Sequence, residues 1–99
     1  MIKISYKKDK LIEEIKIQGH AMYSDFGKDI VCSAVSTMVT TTINNILSLD
    51  KNAITYKSDD AYILITNNDN EMASKLLDNM LSMLSELESS YPKNIKIGG

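Results

Sequence analysis

The apolar residues of this chain change their spacing along its length, from every second residue to every third or fourth and back, and this alternation limits its possible folds. Segments 2–6 and 11–19 show the two-residue period of a β-strand. The residues assigned to one face of these strands are Ile2, Ile4 and Tyr6, followed by Leu11, Glu13, Ile15 and Ile17. The turn-like sequence KKDK separates the two segments, which predicts a β-hairpin.

From Asp29 onward the apolar spacing becomes that of an α-helix. The predicted stripe consists of Cys32, Val35, Val39, Ile43, Ile46 and Leu47. It predicts a helix that ends near Leu49, with Asp29 as its N-cap. Three consecutive β-branched threonines, residues 40–42, favour a strand instead, but the length of the stripe decides for a helix.

The second half of the chain repeats this order. Segments 53–57 and 62–66 predict a second hairpin around the sequence SDD, and the NNDN that follows predicts a loop and a helix cap. The apolar face of the next helix consists of Met72, Ala73, Leu76, Leu77, Met80, Leu81, Leu84 and Leu87. Pro92 stops this helix shortly after Ser89, and segment 94–97 predicts a short edge strand.

The resulting order ββαββα(β) predicts an α+β domain that spans residues 1–99. We expect a two-layer sandwich with a small mixed or antiparallel sheet, two helices on one of its faces and the short C-terminal strand at an edge. With 99 residues, of which 43% are hydrophobic and 24% charged, the chain suits one small core.

The charged residues argue against several classes of partner. All eleven basic residues are lysines, and thirteen acidic residues leave a net charge of -2. Without arginine or a basic excess, direct binding of nucleic acid is not expected. Residues 1–8 lack the apolar run of a secretory signal, and we expect no later stretch to span a membrane. Together with a single cysteine, these features predict a cytoplasmic protein without an internal disulfide.

The single histidine and the single cysteine lie on either side of a predicted loop, residues 21–28. His20 is expected where the second strand ends, and Cys32 in the first turn of the first helix. The free amides and positive dipole end of that turn favour a thiolate over a thiol. A loop that folds back would bring imidazole and sulfur together as an activated nucleophile with a proton shuttle. Gly19 and Gly27 bracket the loop and are candidate hinges.

Spacing alone leaves other roles open. Cys32 also lies on the apolar stripe, as expected of a small packing residue, and His20 suits a solvated strand end. A thiol redox sensor would use the same cysteine, but the chain has no second cysteine to resolve a sulfenic acid. One cysteine, one histidine, Asp25 and Asp29 fall short of a recognisable metal set. We therefore expect neither a metal nor a cofactor.

Two blocks of residues resemble a known family. GHA at residues 19–21 with Tyr23, and the pattern G-x-D-I-V-C-S-A-V-S at residues 27–36, resemble the motif of the ribosomal-processing cysteine proteases called Prp. The ββαββα order and the short length are also similar to that family. The resemblance implies a cytoplasmic endopeptidase, usually a homodimer. It also implies that the substrate is large-subunit ribosomal protein twenty-seven, whose N-terminal extension such an enzyme removes during ribosome assembly.

The resemblance also assigns roles to residues. It implies that Cys32 is the nucleophile and His20 the catalytic histidine, while Asp29 and Ser36 match motif positions with supporting roles. Apart from the resemblance, the loop could also act as a lid over the substrate, with Met22, Tyr23 and Phe26 as its apolar contacts. The alternative is that Tyr23 and Phe26 fold inward and fix the loop. A non-catalytic, ribosome-associated interaction module with the same residues is the alternative to an enzyme.

Overall fold

The fold is described from a computed structural model, which covers residues 1–19, 26–59 and 62–98, with only the backbone described for residues 26–29. Its elements are β1 (Ile2–Lys8), β2 (Ile12–Gln18), α1 (Phe26–Leu49), β3 (Ile54–Asp59), β4 (Tyr62–Asn67), α2 (Glu71–Ser90) and β5 (Ile95–Gly98). The predicted order of strands and helices is confirmed, including the short strand at the C-terminal end. The largest difference in bounds is the start of α1, which lies three residues before the predicted N-cap Asp29.

The strands form one mixed sheet in the order β3-β4-β2-β1-β5. All neighbours are antiparallel except β5, which runs parallel to β1. Alternate residues of β1, such as Ile2 and Ile4, are buried, whereas Lys3 and Ser5 are exposed. The buried strand residues share one hydrophobic cluster with residues of both helices. The predicted α+β fold with both helices on one face of the sheet is therefore confirmed.

The inward face of β2 differs from the predicted one. Ile12 and Ile15 are both fully buried although they are three residues apart, and Glu13 between them is exposed. The pairing shows the cause, because Lys7 lies opposite Glu14 while Lys8 lies opposite Ile12, with a shift in register between them. An extra residue in one strand of a pair reverses the alternation locally. The assignment of Leu11 and Glu13 to the inward face was therefore wrong.

The helices bury the predicted apolar faces. From α1 the core receives Val31, Val35, Val39, Ile43 and Ile46, and from α2 it receives Ala73, Leu77, Met80, Leu81 and Leu84. Cys32 and Leu47 of the predicted stripe are partly buried against this core. The fully buried Val31 was missed at the start of the stripe.

Helix α1 also has an unexpected property. Residues Ile30–Leu49 are long enough and apolar enough to cross a membrane, so the expectation that no stretch meets these criteria was wrong. The core helix of a water-soluble protein satisfies the same criteria. In this fold, one side of α1 packs into the core through residues such as Val35 and Val39.

A polar network joins β2, β4 and the start of α2. The buried Asn67 donates through Nδ2 to the carbonyls of Ile12 (2.8 Å) and Asn70 (3.0 Å), and its Oδ1 accepts from the Asn70 amide (3.0 Å). The amide of Ile12 donates to Ser74 Oγ at 2.9 Å. Asn70 is the N-cap of α2, and its Oδ1 accepts from the Ala73 amide at 2.9 Å. The predicted cap in NNDN is thus confirmed.

Candidate active site

The start of α1 corrects the predicted position of the cysteine. Because the helix begins at Phe26, Asp29 lies inside it, and the prediction of Asp29 as the N-cap was wrong. Cys32 is the seventh residue of the helix and belongs to its second turn rather than its first. Its own backbone amide is therefore within reach of an intrahelical acceptor, and the unpaired amides belong to the turn before it.

This position still relates Cys32 to the helix N-terminus. In an α-helix each Cα–Cβ bond tilts toward the N-terminus, so a side chain extends over the preceding turn. Cys32 is a free thiol of intermediate exposure, partly packed against the core. The Cys32 side chain is therefore partly accessible to solvent, while its contacts with core residues hold it in place. These are suitable conditions for a positioned nucleophile, and they fit a packing role of the same residue as well.

Ser36 lies one helical turn after Cys32, and its side chain is exposed. Residues four apart lie on the same side of a helix, so the serine and the cysteine are neighbours on one face. The structure thus places both residues of the predicted motif on one surface. It leaves the role of Ser36 as a prediction.

The end of β2 requires a glycine. Gly19 has φ = 76°, and a Cβ atom there would lie 2.6 Å from the backbone oxygen of Met1. A residue with a side chain would be strained at this φ and would collide with the neighbouring backbone. Gly19 therefore sets the direction in which the chain leaves the sheet toward His20.

The predicted loop between strand and helix extended too far. Its last three positions, residues 26–28, form the start of α1, so Gly27 is helical and its prediction as a loop hinge is corrected. Phe26 likewise begins the helix instead of lying in the loop. His20, Met22 and Tyr23 lie outside the described residues, and their predicted roles stay predictions.

The topology places the end of β2 and the N-terminal half of α1 at one end of the sheet. Gln18, the last residue of β2, is paired with Tyr62, the first residue of β4. Helix α1 leads through the turn at residues 50–53 into the start of β3, so its N-terminal half faces the other end of β3, beside the start of β4. The end of β2 and the Cys32 region of α1 are therefore at the same end.

A cleft between α1 and β3 was missed in the sequence. It has a volume of about 240 Å³ and is lined by Thr40 and Asn44 on the helix and by Tyr56 and Ser58 on the strand. Tyr56 is a large apolar residue that remains 49% exposed. Its position after the buried Ile54 predicts an inward-facing side chain, but only the packing of the sheet against α1 shows that the core does not cover it.

Among the residues that the structure describes, no group of three or more histidine, cysteine, aspartate or glutamate side chains is placed to hold a metal ion.

The chain matches known proteins over almost its full length. The family model for the cysteine protease Prp matches residues 1–96. The ribosomal processing cysteine protease Prp of Staphylococcus aureus is 27% identical over 100 aligned residues, which cover 97% of this chain and 94% of that protein.

Solved structures agree with this match. An essential ribosomal processing protease Prp from S. aureus, in complex with a covalently linked product peptide, has a TM-score of 0.88 at 27% identity, covering 99% of this chain and 98% of that one. The same S. aureus protease with a substrate peptide has a TM-score of 0.89 at 26% identity and the same coverage. A Streptococcus mutans protein shares the fold, with a TM-score of 0.85 and 24% identity, over 98% of this chain and 91% of that one. The family match and the shared fold lead to one conclusion: this chain is a cysteine protease of the ribosomal-processing Prp family.

Proposed function

We propose that this protease removes the N-terminal extension of large-subunit ribosomal protein twenty-seven in the cytoplasm, with Cys32 and His20 as its catalytic dyad. The observation that carries the proposal is the position of Cys32, the only cysteine of a cysteine protease, partly exposed near the N-terminus of a core helix. The S. aureus relative with a covalently linked product peptide supports peptide-bond chemistry. As in the implied family, the active form is a homodimer.

The reaction begins with attack of the Cys32 thiolate on the scissile carbonyl carbon. The carbonyl electron pair moves to its oxygen and forms a tetrahedral oxyanion. The C–N bond then breaks as protonated His20 donates its proton to the departing amine, which leaves a thioester on Cys32. A water molecule gives a proton to neutral His20 and attacks the thioester. Collapse of this second intermediate releases the product as a carboxylic acid, which loses its proton to the solvent, and restores the thiolate and the protonated histidine.

The first turn of α1 supports the charged states of this reaction. The turn has unpaired amides and lies at the positive end of the helix dipole, and the Cys32 side chain extends toward it. An oxyanion formed next to the sulfur would therefore receive backbone hydrogen bonds. The second-turn position of Cys32 fits this role better than a first-turn position, because its side chain lies over the free amides.

Asp29 and Ser36 are proposed as supporting residues. Since Asp29 lies within the helix and is not its cap, the remaining proposal for its carboxylate is to orient His20. Ser36, on the same face as Cys32, is proposed to contact the bound polypeptide. Met22, Tyr23 and Phe26 are proposed as further contacts with the substrate.

Incubation of the purified protein with the precursor ribosomal protein tests the proposal. Mass spectrometry should show a shortened N-terminus with the wild type and an intact precursor with Cys32→Ser and with His20→Ala. Ser48→Ala, a change at an exposed position near the far end of α1, is the matched control and should cleave normally. Cleavage by the two dyad variants at the wild-type rate would refute the dyad. An intact precursor in every reaction would refute the substrate.

A further inference from the structure

We propose that the open face of the β-sheet binds single-stranded RNA through its lysines and Tyr62. The open face is the side of the sheet that points away from the core and from both helices. The choice of RNA among polyanions rests on the proposed function, since a protease that acts on a ribosomal protein works close to RNA. The binding itself does not depend on the cleavage reaction.

The strand register shows which residues belong to the open face. Lys3 and Ser5 point away from the core, because Ile2 and Ile4, which alternate with them, are buried. Residues directly opposite each other in neighbouring strands share a face, so the pairing extends this assignment across the sheet. Among the described residues, the cations of the open face are Lys3, Lys7, Lys16, Lys57 and Lys96, and its anions are Glu14 and Asp59.

The open face differs in charge from the rest of the protein. Five lysines and two carboxylates give its described residues a formal charge of +3, whereas the whole chain has a net charge of -2. The net charge argued against nucleic acid as a partner, but it averages over a surface whose cations are concentrated on one side. A basic face of this kind attracts a polyanion even when the protein as a whole is acidic.

Most of these lysines are available to a ligand. Lys7 Nζ lies 3.6 Å from Glu14 Oε2 and is therefore paired. The other four lysines of the face have no ion pair within the part of the chain that the structure describes. Each of their ammonium groups can approach a phosphate as a point charge without first breaking a contact in the protein, and this mode of binding does not require arginine.

Two of the free lysines are direct neighbours. Lys3 of β1 lies opposite Lys96 of β5, and both side chains are exposed. Like charges at such positions repel each other and destabilise the pairing of the strands. The residues beside them, Gln18 opposite Lys3 and the next pair Ser5 and Gly98, provide no carboxylate. A phosphate bound between the two ammonium groups would cancel this repulsion, so we expect the first anchor of the RNA here.

The lysines continue across the sheet as a band. Lys16 of β2 follows on the neighbouring strand of β1, and Lys57 of β3 lies two strands further, with Leu64 of β4 between them. From β5 to β3 the band crosses four strand spacings of about 4.8 Å, or roughly 19 Å. At about 3.4 Å for each stacked nucleotide, this distance corresponds to about six nucleotides. The band therefore fits a short stretch of one strand.

The middle of the open face offers contacts for bases. Tyr62 and Leu64 of β4 share this face and are partly buried, and Gln18 lies opposite Tyr62. A depression of about 220 Å³ next to Ser5 and Lys16 gives room for a further group. Unpaired bases stack on aromatic side chains of open sheets, while basic residues hold the backbone. A lipid headgroup or an acidic peptide has no ring to stack in this way, so Tyr62 favours single-stranded RNA.

Reversal of one charge tests the lysine band. Fluorescence polarisation of a labelled single-stranded RNA of about ten nucleotides measures the binding. If four lysines contact phosphates, the logarithm of the association constant should fall against the logarithm of salt concentration with a slope of about -3. Lys3→Glu should weaken binding at least about fivefold and make this slope shallower by about one unit. Its cleavage of a short peptide should equal that of the wild type, since Lys3 faces away from the helix that carries Cys32.

A matched control separates the band from the overall charge. Lys75→Glu makes the same change at an exposed lysine of α2, on the other side of the sheet, and should alter RNA binding less than about twofold at physiological salt, where charges act over about 8 Å. Lys57→Glu is the second variant if circular dichroism shows that Lys3→Glu fails to fold. Tyr62→Ala should weaken binding at least about fivefold with an unchanged salt slope, because it removes stacking but no charge.

The outcomes distinguish this inference from its rivals and from the proposed function. Absent or salt-independent RNA binding would overturn it, as would equal losses in Lys3→Glu and Lys75→Glu. Phosphatidylserine vesicles and a polyglutamate peptide are the competing anions. If either binds as tightly as the RNA, and Tyr62→Ala has no effect, the face belongs to a membrane or an acidic protein and the inference is wrong. RNA binding by a protein that leaves the precursor intact would refute the proposed substrate and support the RNA site.

Discussion

The two helices of this protein bury similar apolar faces in one core but present different outer faces to solvent. The exposed side of α2 carries charged residues such as Glu71, Lys75 and Glu86. Between Ser33 and Ser48, the exposed residues of α1 are serines, threonines and asparagines without charge. A charged outer face is typical of a helix that only meets water. The same type of surface in α1 carries no charge and lies on the helix that holds Cys32.

The two helices also begin in different surroundings. Helix α2 starts at the N-cap Asn70, inside the hydrogen-bonded network around Asn67. Helix α1 follows the motif segment and carries Cys32 in its second turn. By this comparison α2 mainly stabilises the fold, whereas α1 combines a core face with the surface that carries the proposed nucleophile Cys32. The expected results below follow from this division, from the largest effect to the smallest.

The largest expected effect separates activity from stability on α1. Cys32→Ser should lower kcat/KM by about a thousandfold or more, because an unactivated serine hydroxyl is a much weaker nucleophile than the proposed thiolate. The midpoint of denaturant unfolding should change little, since the two side chains are similar in size and the site is only partly buried. Peptide-cleavage assays and urea titrations measure the two quantities. A Cys32→Ser variant that still cleaves the peptide would contradict the catalytic role proposed for α1.

A core substitution in α2 should show the opposite pattern. Leu77 is fully buried, so Leu77→Ala should lower the free energy of unfolding by about 2–5 kcal/mol through lost burial and a new cavity. Leu49→Ala, at a position that is 67% exposed, is the control and should change it by less than about 0.5 kcal/mol. Urea titrations followed by circular dichroism measure both values. Equal losses in both variants would contradict the role assigned to α2.

Gly19, which follows β2, should not tolerate a side chain. Gly19→Ala combines a positive φ with a collision against the Met1 backbone, and should lower the free energy of unfolding by at least about 1–2 kcal/mol. Cleavage should fall as well, because Gly19 directs the chain toward His20. Gly98→Ala is the matched control, since a Cβ atom there meets no other atom within 4 Å. Indistinguishable variants would show that this turn tolerates a side chain.

The start of α2 should depend on its cap. Asn70→Ala removes the acceptor of the Ala73 amide and should lower the free energy of unfolding by about 0.5–2 kcal/mol, with kcat/KM unchanged at temperatures well below the melting temperature. Asn45→Ala, at an exposed site on α1, should be nearly neutral. Thermal melts and cleavage assays of both variants provide the comparison. A loss of cleavage by the folded Asn70→Ala protein would place this end of the molecule in the active machinery.

The smallest effect is expected for the charged surface of α2. Lys8 Nζ lies 3.2 Å from Asp78 Oδ2, and both side chains are nearly half exposed. Water and salt weaken such a pair, so Asp78→Asn should change the free energy of unfolding by about 0–1 kcal/mol and by less at high salt. Urea titrations at low and high sodium chloride measure this. A larger effect that does not depend on salt would mean that Asp78 on α2 contributes to the stability of the fold and does not merely face the solvent.

Much of this fold was predictable because its elements follow local periodicity. The stripes of both helices, the two hairpins and the cap in NNDN were identified from neighbouring residues. The start of α1 was not, since Asp29 is a good cap residue and no local pattern shows that the helix already contains it. The inward face of β2 was assigned incorrectly because a shift in register depends on the partner strand.

The sequence by itself determined the order of strands and helices, the apolar side of each helix and the two motif blocks that indicate a cysteine protease. These features depend on residues that are close together in the chain. Only the tertiary structure decided the order of the strands in the sheet, the second-turn position of Cys32 and the cleft between Thr40 and Tyr56. Strand pairing and helix packing join residues that are far apart in sequence, and their geometry depends on the whole core.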